Sequence, residues 1–347
     1  MDSEDLKILV IRFSSLGDLI LMLPLLSRLR AIFPNSVIDL ATKEEYSDLF
    51  EGNKNIDNLH TLNEGGFRQL FVLRKKIQQN KYDIILDAHN VIRSNFLYHT
   101  TRAKRKAQIT KDHIKKLLLI KYKINLYKEA GTQVEKYLDL TNLFDASYGK
   151  GEENKFQLPR EALDTADTII KKADFGEKEI IAVAPGAKWD TKKWPEKKFR
   201  NLVSTLGRNN FNIVIVGGAE EKTLSNIIAE TSQSPLINTT GELKIWETGA
   251  ILKKCILLVT NDSALLHLSE YVGTPVAALF GPTVREFGYY PLLEESKAVE
   301  IDLDCRPCSR SGSNVCPIGT KECLKSISVD TVIKNIESIL AEKIVIR

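Results

Sequence analysis

The sequence predicts an α/β protein of two domains, each built on an open parallel sheet covered by helices. Short unbroken apolar runs, such as residues 8–11 and 180–184, suit strands buried on both faces, and they alternate along the chain with segments of helical periodicity. With 347 residues, the chain exceeds the size at which one hydrophobic core stops growing. A polar, glycine-bearing stretch at residues 148–157 separates the halves, so we expect domains at 1–155 and 156–347 that face each other across a cleft.

Composition narrows the class of protein. Lysine and arginine number 49 and aspartate and glutamate 45, a net charge of +4 that is too weak to argue for nucleic acid but suits anionic substrates or a membrane surface. The acidic N-terminus lacks the pattern of a secretory signal, and the longest apolar stretch, residues 19–26, is too short to span a bilayer. We therefore expect a cytoplasmic protein without a membrane anchor and without a nucleic-acid partner.

The first strand, turn and helix, from Lys7 to Arg30, place Asp18 where the turn leads into the helix. Gly17 is expected to supply the turn, and leucines then recur at helical spacing. In open α/β sheets, the strand ends that lead into helices face the ligand crevice, so Asp18 is placed for chemistry. Aspartate also commonly caps a helix, and from this turn alone the two interpretations stand equal.

The remaining elements follow in chain order. In the first half, strands are expected at residues 37–41, 56–62 and 83–87, and helices at 67–80 and 133–144. In the second half, strands at 180–184, 212–216, 235–238, 256–260 and 276–280 alternate with helices that begin near Pro195, Glu220, Lys244 and Asp262. A last amphipathic helix, 329–341, could pack back on the N-terminal domain.

Two turns of the second half carry groups that bind phosphate. Asp262 and Ser263 lie between a strand and a helix whose free N–H groups would point into the crevice, with His267 one helical turn further on. After the next strand, the glycine of the Gly-Pro-Thr turn at 281–283 allows close backbone approach. The alternative is that Asp262 or Ser263 merely caps the helix and that His267 is a satisfied, half-buried side chain.

The turn at residues 184–195 holds three lysines, Lys188, Lys192 and Lys193. A lysine there would neutralise the charge that develops on a departing diphosphate, an effect that often dominates group transfer. Lysines on turns are usually only solvated. What favours a role in phosphate binding here is the position of this turn beside the other turns expected at the crevice. Two basic segments, 68–76 and 102–123, are either solvated faces or surfaces that contact anions or a membrane.

Four cysteines lie close together near the C-terminus: Cys305, Cys308, Cys316 and Cys323. The two-residue spacing of the first pair fits zinc, and a metal is the better expectation than disulfides in a cytoplasmic chain. Four free thiols are the alternative to a structural zinc ion. Cys255 belongs to an apolar run and is expected to be a core residue.

The sequence lacks the glycine-rich fingerprint of dehydrogenases, the phosphate-binding loop of nucleoside triphosphatases, the zinc-protease motif and the serine-hydrolase elbow. Five motifs instead resemble those of the ADP-heptose:lipopolysaccharide heptosyltransferases, glycosyltransferase family 9. In chain order they are SSLGDLILMLPLLSRLR, APGAKWDTKKWP, VIVGGAEE, NDSALLHLSEYVGTPVAALFGPT and CRPC. The resemblance covers nearly the whole chain and implies a GT-B fold of two Rossmann-like domains, the N-terminal one binding mainly acceptor and the C-terminal one mainly sugar nucleotide.

The resemblance also assigns roles to residues. It makes Asp18 the general base and Lys192 a contact of the donor phosphates, both counted as catalytic. Family members commonly have glycine where Ala264 stands and often histidine where Gln133 stands. With the residues of the turns described above, the substrate-binding candidates are Ser14, Ser15, Gly17, Lys188, Asp262, Ser263, Ala264, His267, Gly281, Pro282 and Thr283.

The reaction that the resemblance implies is inverting transfer of heptose from ADP-L-glycero-D-manno-heptose to a Kdo or heptose of the lipopolysaccharide inner core. Asp18 would take the acceptor's proton while Lys192 and the helix end at Ser263 stabilise the leaving diphosphate, with no metal or other cofactor. The acceptor would be a lipid A-linked core oligosaccharide, reached through peripheral contact with the cytoplasmic face of the inner membrane. The alternatives are a transferase of the same fold that uses another nucleotide sugar and a non-catalytic nucleotide-sugar-binding protein.

Overall fold

A computed structural model describes residues 6–64, 66–144, 158–232 and 234–345. These residues form two compact units, the first containing residues 6–113 and 131–144, the second residues 114–130 and 158–345. Each unit is built on one parallel sheet with helices between its strands. The structure therefore confirms the predicted α/β class with two parallel sheets.

In the first unit, the described strands are β1 (Lys7–Ile11), β2 (Val37–Lys43), β3 (Asn58–Leu62), β4 (Ile84–Asp87) and β5 (Arg105–Gln108). They pair in parallel in the order β3-β2-β1-β4-β5. The helices are α1 (Leu16–Ile32), α2 (Gly66–Gln79), α3 (Ile92–Thr100) and α5 (Gln133–Leu138). Between α3 and α5 lies α4 (His113–Tyr122), and all of it except His113 belongs to the second unit. Because β1 is central, its carboxyl end opens at the middle of the sheet edge.

In the second unit, the described strands are β6 (Ile180–Ala184), β7 (Asn212–Ile215), β8 (Leu236–Asn238), β9 (Leu257–Asn261), β10 (Val276–Leu279) and β11 (Lys297–Val299). Their order is β11-β10-β9-β6-β7-β8, again all parallel. The helices are α6 (Arg160–Lys172), α7 (Glu196–Arg208), α8 (Lys222–Ala229), α9 (Ile245–Lys254), α10 (Ala264–Tyr271), α11 (Glu322–Lys325) and α12 (Val329–Val345). The neighbouring strands β10, β9 and β6 each lead into one of the predicted phosphate turns.

Helical periodicity explains how the second unit closes its core. In α7, Phe199, Leu202, Val203 and Leu206 are spaced so that they share one face, and all are fully buried. From α12, Val332, Ile336 and Ile339 enter the same hydrophobic cluster, and this helix contacts α7, β10 and β11. The predicted final helix thus exists and is part of the second unit's core, whereas its return to the N-terminal domain stays a prediction.

Three local expectations differ from the structure. Gly17 is the second residue of α1 rather than the turn, because Ser15 is the better N-cap and the helix begins directly after it. The helix expected over 133–144 ends at Leu138 and continues as a 3-10 turn, where the Thr141 hydroxyl donates to the Leu138 carbonyl at 2.6 Å. The sequence reading missed α3, α4, α6 and the two short strands β5 and β11.

The segment 114–130 belongs to the second unit and contacts it through two cationic side chains. The Lys123 ammonium donates to the carbonyls of Cys305 and Pro307, each at 2.8 Å, and the Lys116 ammonium lies 5.0 Å from the centre of the Phe287 ring. The basic run 102–123 is therefore divided between the two units. The predicted boundary at 155/156 and the whole linker at 148–157 lie outside the described residues.

Candidate functional site

One candidate site, in the first unit, lies at the carboxyl end of β1, where α1 begins. Ser15 is the N-cap of α1, and its hydroxyl donates to Oδ2 of Asp18 at 2.8 Å while its backbone N–H lies 3.4 Å from the same oxygen. Asp18 is thus the third residue of the helix and completes a capping box with Ser15. Ser14, Ser15, Gly17 and Asp18 are all partly exposed, so the turn remains accessible from solvent.

Two further side chains fix the Asp18 carboxylate. The Arg12 guanidinium lies 2.9 Å from Oδ2, and the Tyr137 hydroxyl donates to Oδ1 at 3.1 Å. Burial raises the pKa of Tyr137, so its hydroxyl keeps its proton and remains a donor. The side chain of Arg12 is 6% exposed and that of Asp18 is 13% exposed, so this charge pair is only weakly screened by solvent. Asp18 is therefore held in one orientation, with part of its surface left open.

The cap and the catalyst interpretations of Asp18 are compatible. A capping role needs only the contacts to Ser15, whereas the salt bridge to Arg12 and the bond from Tyr137 reach beyond the helix end. Sequence reasoning missed both partners. Arg12 could have been found, because an arginine directly after a buried strand needs a partner. Tyr137 could not, because it comes from α5, more than 100 residues further along the chain.

A histidine and a lysine complete the surroundings of Asp18. The backbone N–H of Phe13 donates to Nδ1 of His89 at 3.2 Å, which leaves the ring proton on Nε2. Burial, reinforced by the charges of Arg12 and Lys111, lowers the pKa of His89 to about 3. Burial and Arg12 also lower the pKa of Lys111. Cationic side chains thus gather beside one carboxylate, an arrangement that suits an anionic ligand.

The neutral state of His89 predicts how stability depends on pH. Its pKa of about 3 in the folded protein lies below the value of about 6.5 expected in the unfolded chain, so the unfolded state binds more protons between these values. Stability should therefore fall as the pH drops below about 6.5, by about 2 kcal/mol at pH 5 from this group. His89→Gln, which can still accept from Phe13, should weaken this dependence in urea unfolding at pH 7 and pH 5. The exposed His99, changed to glutamine, is the matched control; equal pH slopes for both variants would contradict the assignment.

A second candidate site, in the second unit, joins three residues from three turns. The Lys192 ammonium lies 2.6 Å from Oδ2 of Asp262, and the Thr283 hydroxyl donates to the same oxygen at 2.8 Å. The side chain of Lys192 is 13% exposed and that of Asp262 is 6% exposed. All three were candidates from the sequence, and the parallel order of β6, β9 and β10 brings their carboxyl ends together.

Asn261 fixes the lysine turn, a role that sequence reasoning did not assign. Its side-chain oxygen accepts from the Trp194 backbone N–H at 3.0 Å, and its amide donates to the carbonyls of Pro185 at 2.8 Å and Gly186 at 3.2 Å. The side chain is fully buried, so these bonds are protected from water. Asn261 therefore ties both ends of the 185–194 turn to the end of β9.

The start of α10 is accessible. Ser263 is the N-cap, but its hydroxyl pairs with that of Thr260 at 3.2 Å rather than with the helix backbone. Ser263 and Ala264 are partly exposed, so the first N–H groups of α10 can reach a ligand. His267 is buried, with its ring 6.2 Å from that of Tyr289. Lys188 is exposed and lies over the Trp189 ring, outside the group formed by Lys192.

The Gly-Pro-Thr turn is packed against the protein itself. A Cβ on Gly281 would lie 2.9 Å from Cγ of Leu324 and 3.0 Å from the carbonyl oxygen of Thr191. Gly281 and Pro282 are buried. The backbone that comes close to Gly281 belongs to the lysine turn, so Gly281 does not offer an open surface to a ligand. Within this turn, the Thr283 hydroxyl is the group that contacts Asp262.

The four C-terminal cysteines, candidate zinc ligands from their spacing, border one cavity of about 280 Å³: Cys305, Cys308, Cys316 and Cys323. All four are free thiols. As the side chains stand, the described ranges contain no group of three or more His, Cys, Asp or Glu residues arranged to hold a metal ion. The cavity brings together residues that the sequence only suggested as a group.

Two parallel sheets with a fixed carboxylate in one unit and a lysine turn beside a helix start in the other are the architecture of a GT-B glycosyltransferase. The chain belongs to glycosyltransferase family 9, the heptosyltransferase family, whose model matches residues 70–318. The chain is therefore a glycosyltransferase, and the resemblance seen in its motifs is confirmed.

Curated relatives and solved structures agree with the family. The chain is 25% identical to lipooligosaccharide heptosyltransferase 2 of Haemophilus ducreyi, over 97% of this chain and 100% of that one. A family 9 glycosyltransferase from Veillonella parvula has the same fold, with a TM-score of 0.82, 24% identity and 99% of each chain covered. The Escherichia coli heptosyltransferase WaaC, solved with ADP-2-deoxy-2-fluoro heptose, matches with a TM-score of 0.63 and 17% identity, over 96% of this chain and 99% of that one.

None of the described helices has both the length and the apolar character needed to cross a bilayer.

Proposed function

We propose that this enzyme moves heptose from ADP-L-glycero-D-manno-heptose to a Kdo or heptose of the lipopolysaccharide inner core, with inversion at the anomeric carbon. The observation that carries the proposal is the group of Lys192, Asp262 and Thr283 beside the open start of α10 in a family 9 chain. That group supplies a cation and backbone donors for a diphosphate. The ADP-heptose analogue bound by the E. coli relative supports the same donor class.

On the donor side, Lys192 is the group that stabilises the leaving diphosphate. Its pairing with the nearly buried Asp262 holds the ammonium in place before the donor binds. When ADP departs, negative charge grows on its terminal phosphate, and Lys192 with the first N–H groups of α10 stabilises it. Thr283 keeps Asp262 oriented through its hydroxyl bond.

On the acceptor side, Asp18 is the general base. The acceptor hydroxyl oxygen forms the new bond to the anomeric carbon, its proton passes to Asp18, and the bond from that carbon to the diphosphate oxygen breaks with its electron pair leaving on ADP. Arg12 and Tyr137 keep the carboxylate oriented before the proton arrives. The cations around Asp18, chiefly Arg12 and Lys111, suit the acidic groups of an inner-core acceptor.

The proposal includes contact with the membrane that holds the lipid A anchor. In the first unit, α2 exposes Phe67, Phe71 and Val72 on a helix that also carries basic residues. In the second unit, Ile114 and Leu117 of α4 are exposed among lysines. Apolar side chains interspersed with cations are the composition of helices that lie on anionic membrane surfaces.

Vesicle binding is the expected result of this surface. The enzyme should sediment with vesicles that contain anionic lipid, and less so as salt rises, because each surface cation contributes about 1 kcal/mol at low ionic strength. Phe67→Ser with Phe71→Ser should weaken binding, since both rings are more than half exposed. The matched control is the exposed Leu292→Ser in the second unit. Binding that ignores anionic lipid, salt and the two phenylalanines would contradict this surface.

The direct test of the function is ADP release from ADP-heptose with a set of truncated core acceptors, alongside other nucleotide sugars. We expect release only when ADP-heptose and an acceptor with a Kdo or heptose terminus are both present, and a product with inverted anomeric configuration. Transfer from a different nucleotide sugar would replace the donor in the proposal. Donor binding without transfer to any acceptor would instead indicate a non-catalytic nucleotide-sugar-binding protein.

A further inference from the structure

The segment between β11 and α11 lacks regular structure. Residues 300–321 contain no helix or strand, although they belong to a described and compact unit. Val315 and Ile318 are 75% and 57% exposed, so the segment has little apolar core of its own. A loop of this length that keeps one conformation needs other ties.

All four C-terminal cysteines face the same small cavity. Cys305, Cys308, Cys316 and Cys323 border a space of about 280 Å³. Three of them belong to the irregular segment, and Cys323 lies in α11 directly after it. A single group bound in the cavity would therefore link both ends of the segment.

The chain turns back on itself directly after Cys316. The Gly319 N–H donates to the Cys316 carbonyl at 2.9 Å, and Gly319 has a φ of +76°, a left-handed conformation that favours glycine. Cys316 thus stays at the border of the cavity that the other three cysteines share.

Charged neighbours provide a second, independent observation. Lys123, Arg306 and Lys321 border the cavity with one carboxylate, Glu322, while Glu300 pairs with Arg306. One positive unit therefore remains in excess at the rim. Four thiolates around a divalent ion carry two negative units, so this excess offsets part of the charge of such a complex.

We infer that Cys305, Cys308, Cys316 and Cys323 together bind one thiolate-preferring divalent ion, Zn²⁺ or Fe²⁺. Because no three donors among the described residues are arranged around an ion as they stand, binding requires the cysteine side chains to turn toward their shared cavity. Each thiol loses its proton as its sulfur bonds the metal. The ion is structural, since four protein ligands leave no open position for substrate.

The proposed metal site supports the two turns that carry Lys192 and Thr283. Thr191, next to Lys192, exchanges hydrogen bonds with the backbone of Ser313, at 3.0 Å to its carbonyl and 2.9 Å from its N–H. Arg306 donates to the carbonyls of Gly281 and Thr283. Both supporting residues belong to the cysteine segment. By holding the cysteine segment, the metal positions Lys192 and Thr283 without contacting them. The importance of this positioning for donor binding rests on the proposed function.

Metal content tests the site itself. The full chain, purified under reducing conditions without chelator, should contain about one zinc or iron per molecule by elemental analysis. Cys316→Ser should lower this content severalfold, whereas Cys255→Ser, a buried cysteine outside the cavity whose sulfur donates to the Ile251 carbonyl, should not. If Cys316→Ser does not fold, release of metal from the wild-type chain by a mercurial thiol reagent replaces it. A chain without metal and with five titratable thiols, or one with disulfides among these cysteines, would overturn the inference.

Donor binding tests the consequence. Removing the metal from the wild-type chain should lower Tm by several degrees, and Zn²⁺ should restore it. The same treatment should weaken ADP binding severalfold by calorimetry. A metal-loaded chain whose Tm and ADP affinity do not change on metal removal would overturn the supporting role. Metal content and Tm do not depend on any transfer activity, so failure of the metal site and failure of the proposed function are distinguishable.

Discussion

Asp18→Asn should lower kcat for sugar transfer by about 10²- to 10⁴-fold, the usual range for loss of a general base. The amide keeps the shape of the carboxylate and can accept one bond from Ser15 or Tyr137, but it cannot take the acceptor's proton. The affinity for ADP should stay nearly unchanged, because the residues that we propose to bind the diphosphate lie in the other unit. Steady-state kinetics and ADP calorimetry on the same preparation measure both quantities.

Stability must be measured with this variant, because Asp18 also has structural partners. Arg12 loses its opposite charge while its side chain is only 6% exposed, which should cost roughly 1–3 kcal/mol of unfolding free energy. Asp139→Asn is the matched control, since Asp139 is an exposed carboxylate of the same unit. If Asp18 were only a helix cap, the variant would be less stable and would still transfer sugar at the wild-type rate.

Lys192→Met should lower kcat/KM by about 10²- to 10³-fold, the range seen when one group that stabilises developing negative charge is removed. The loss should include a higher KM for the donor, because the proposed contact between the ammonium and the diphosphate exists before as well as during transfer. Lys192→Arg should recover part of the loss, since the charge remains while the geometry changes. Rates at varied donor concentration separate the two parameters.

A neighbouring lysine supplies the control. Lys193 pairs with Asp190 at the surface, with side chains 40% and 50% exposed, so Lys193→Met should change activity little. Lys192→Met also leaves Asp262, 6% exposed, without its ion-pair partner, so the double variant with Asp262→Asn should be more stable than Lys192→Met alone. Equal kinetics for the Lys192 and Lys193 variants would remove Lys192 from the mechanism.

Much of the fold followed from patterns of short range. The run 180–184 was predicted and is β6 without change, because five successive apolar residues fit a strand covered on both faces. Some of the missed elements have a weak pattern. Strand β5 is only partly buried and reads RKAQ, so its sequence carries no strand signal, and its place at the sheet edge is decided by pairing with β4.

The candidate site shows the same difference between what local sequence predicts and what tertiary structure decides. The sequence by itself determined which turns are candidates for the chemistry, because Asp18, Lys192, Asp262 and Thr283 each follow or flank a recognisable strand and helix. Only the tertiary structure decided their partners: Arg12 and Tyr137 on Asp18, and Asp262 as the shared acceptor of Lys192 and Thr283. The physical reason is the range of the interactions. Strand and helix signals lie within a few neighbouring residues, whereas a salt bridge between turns exists only after parallel pairing has brought distant strand ends to one edge of a sheet.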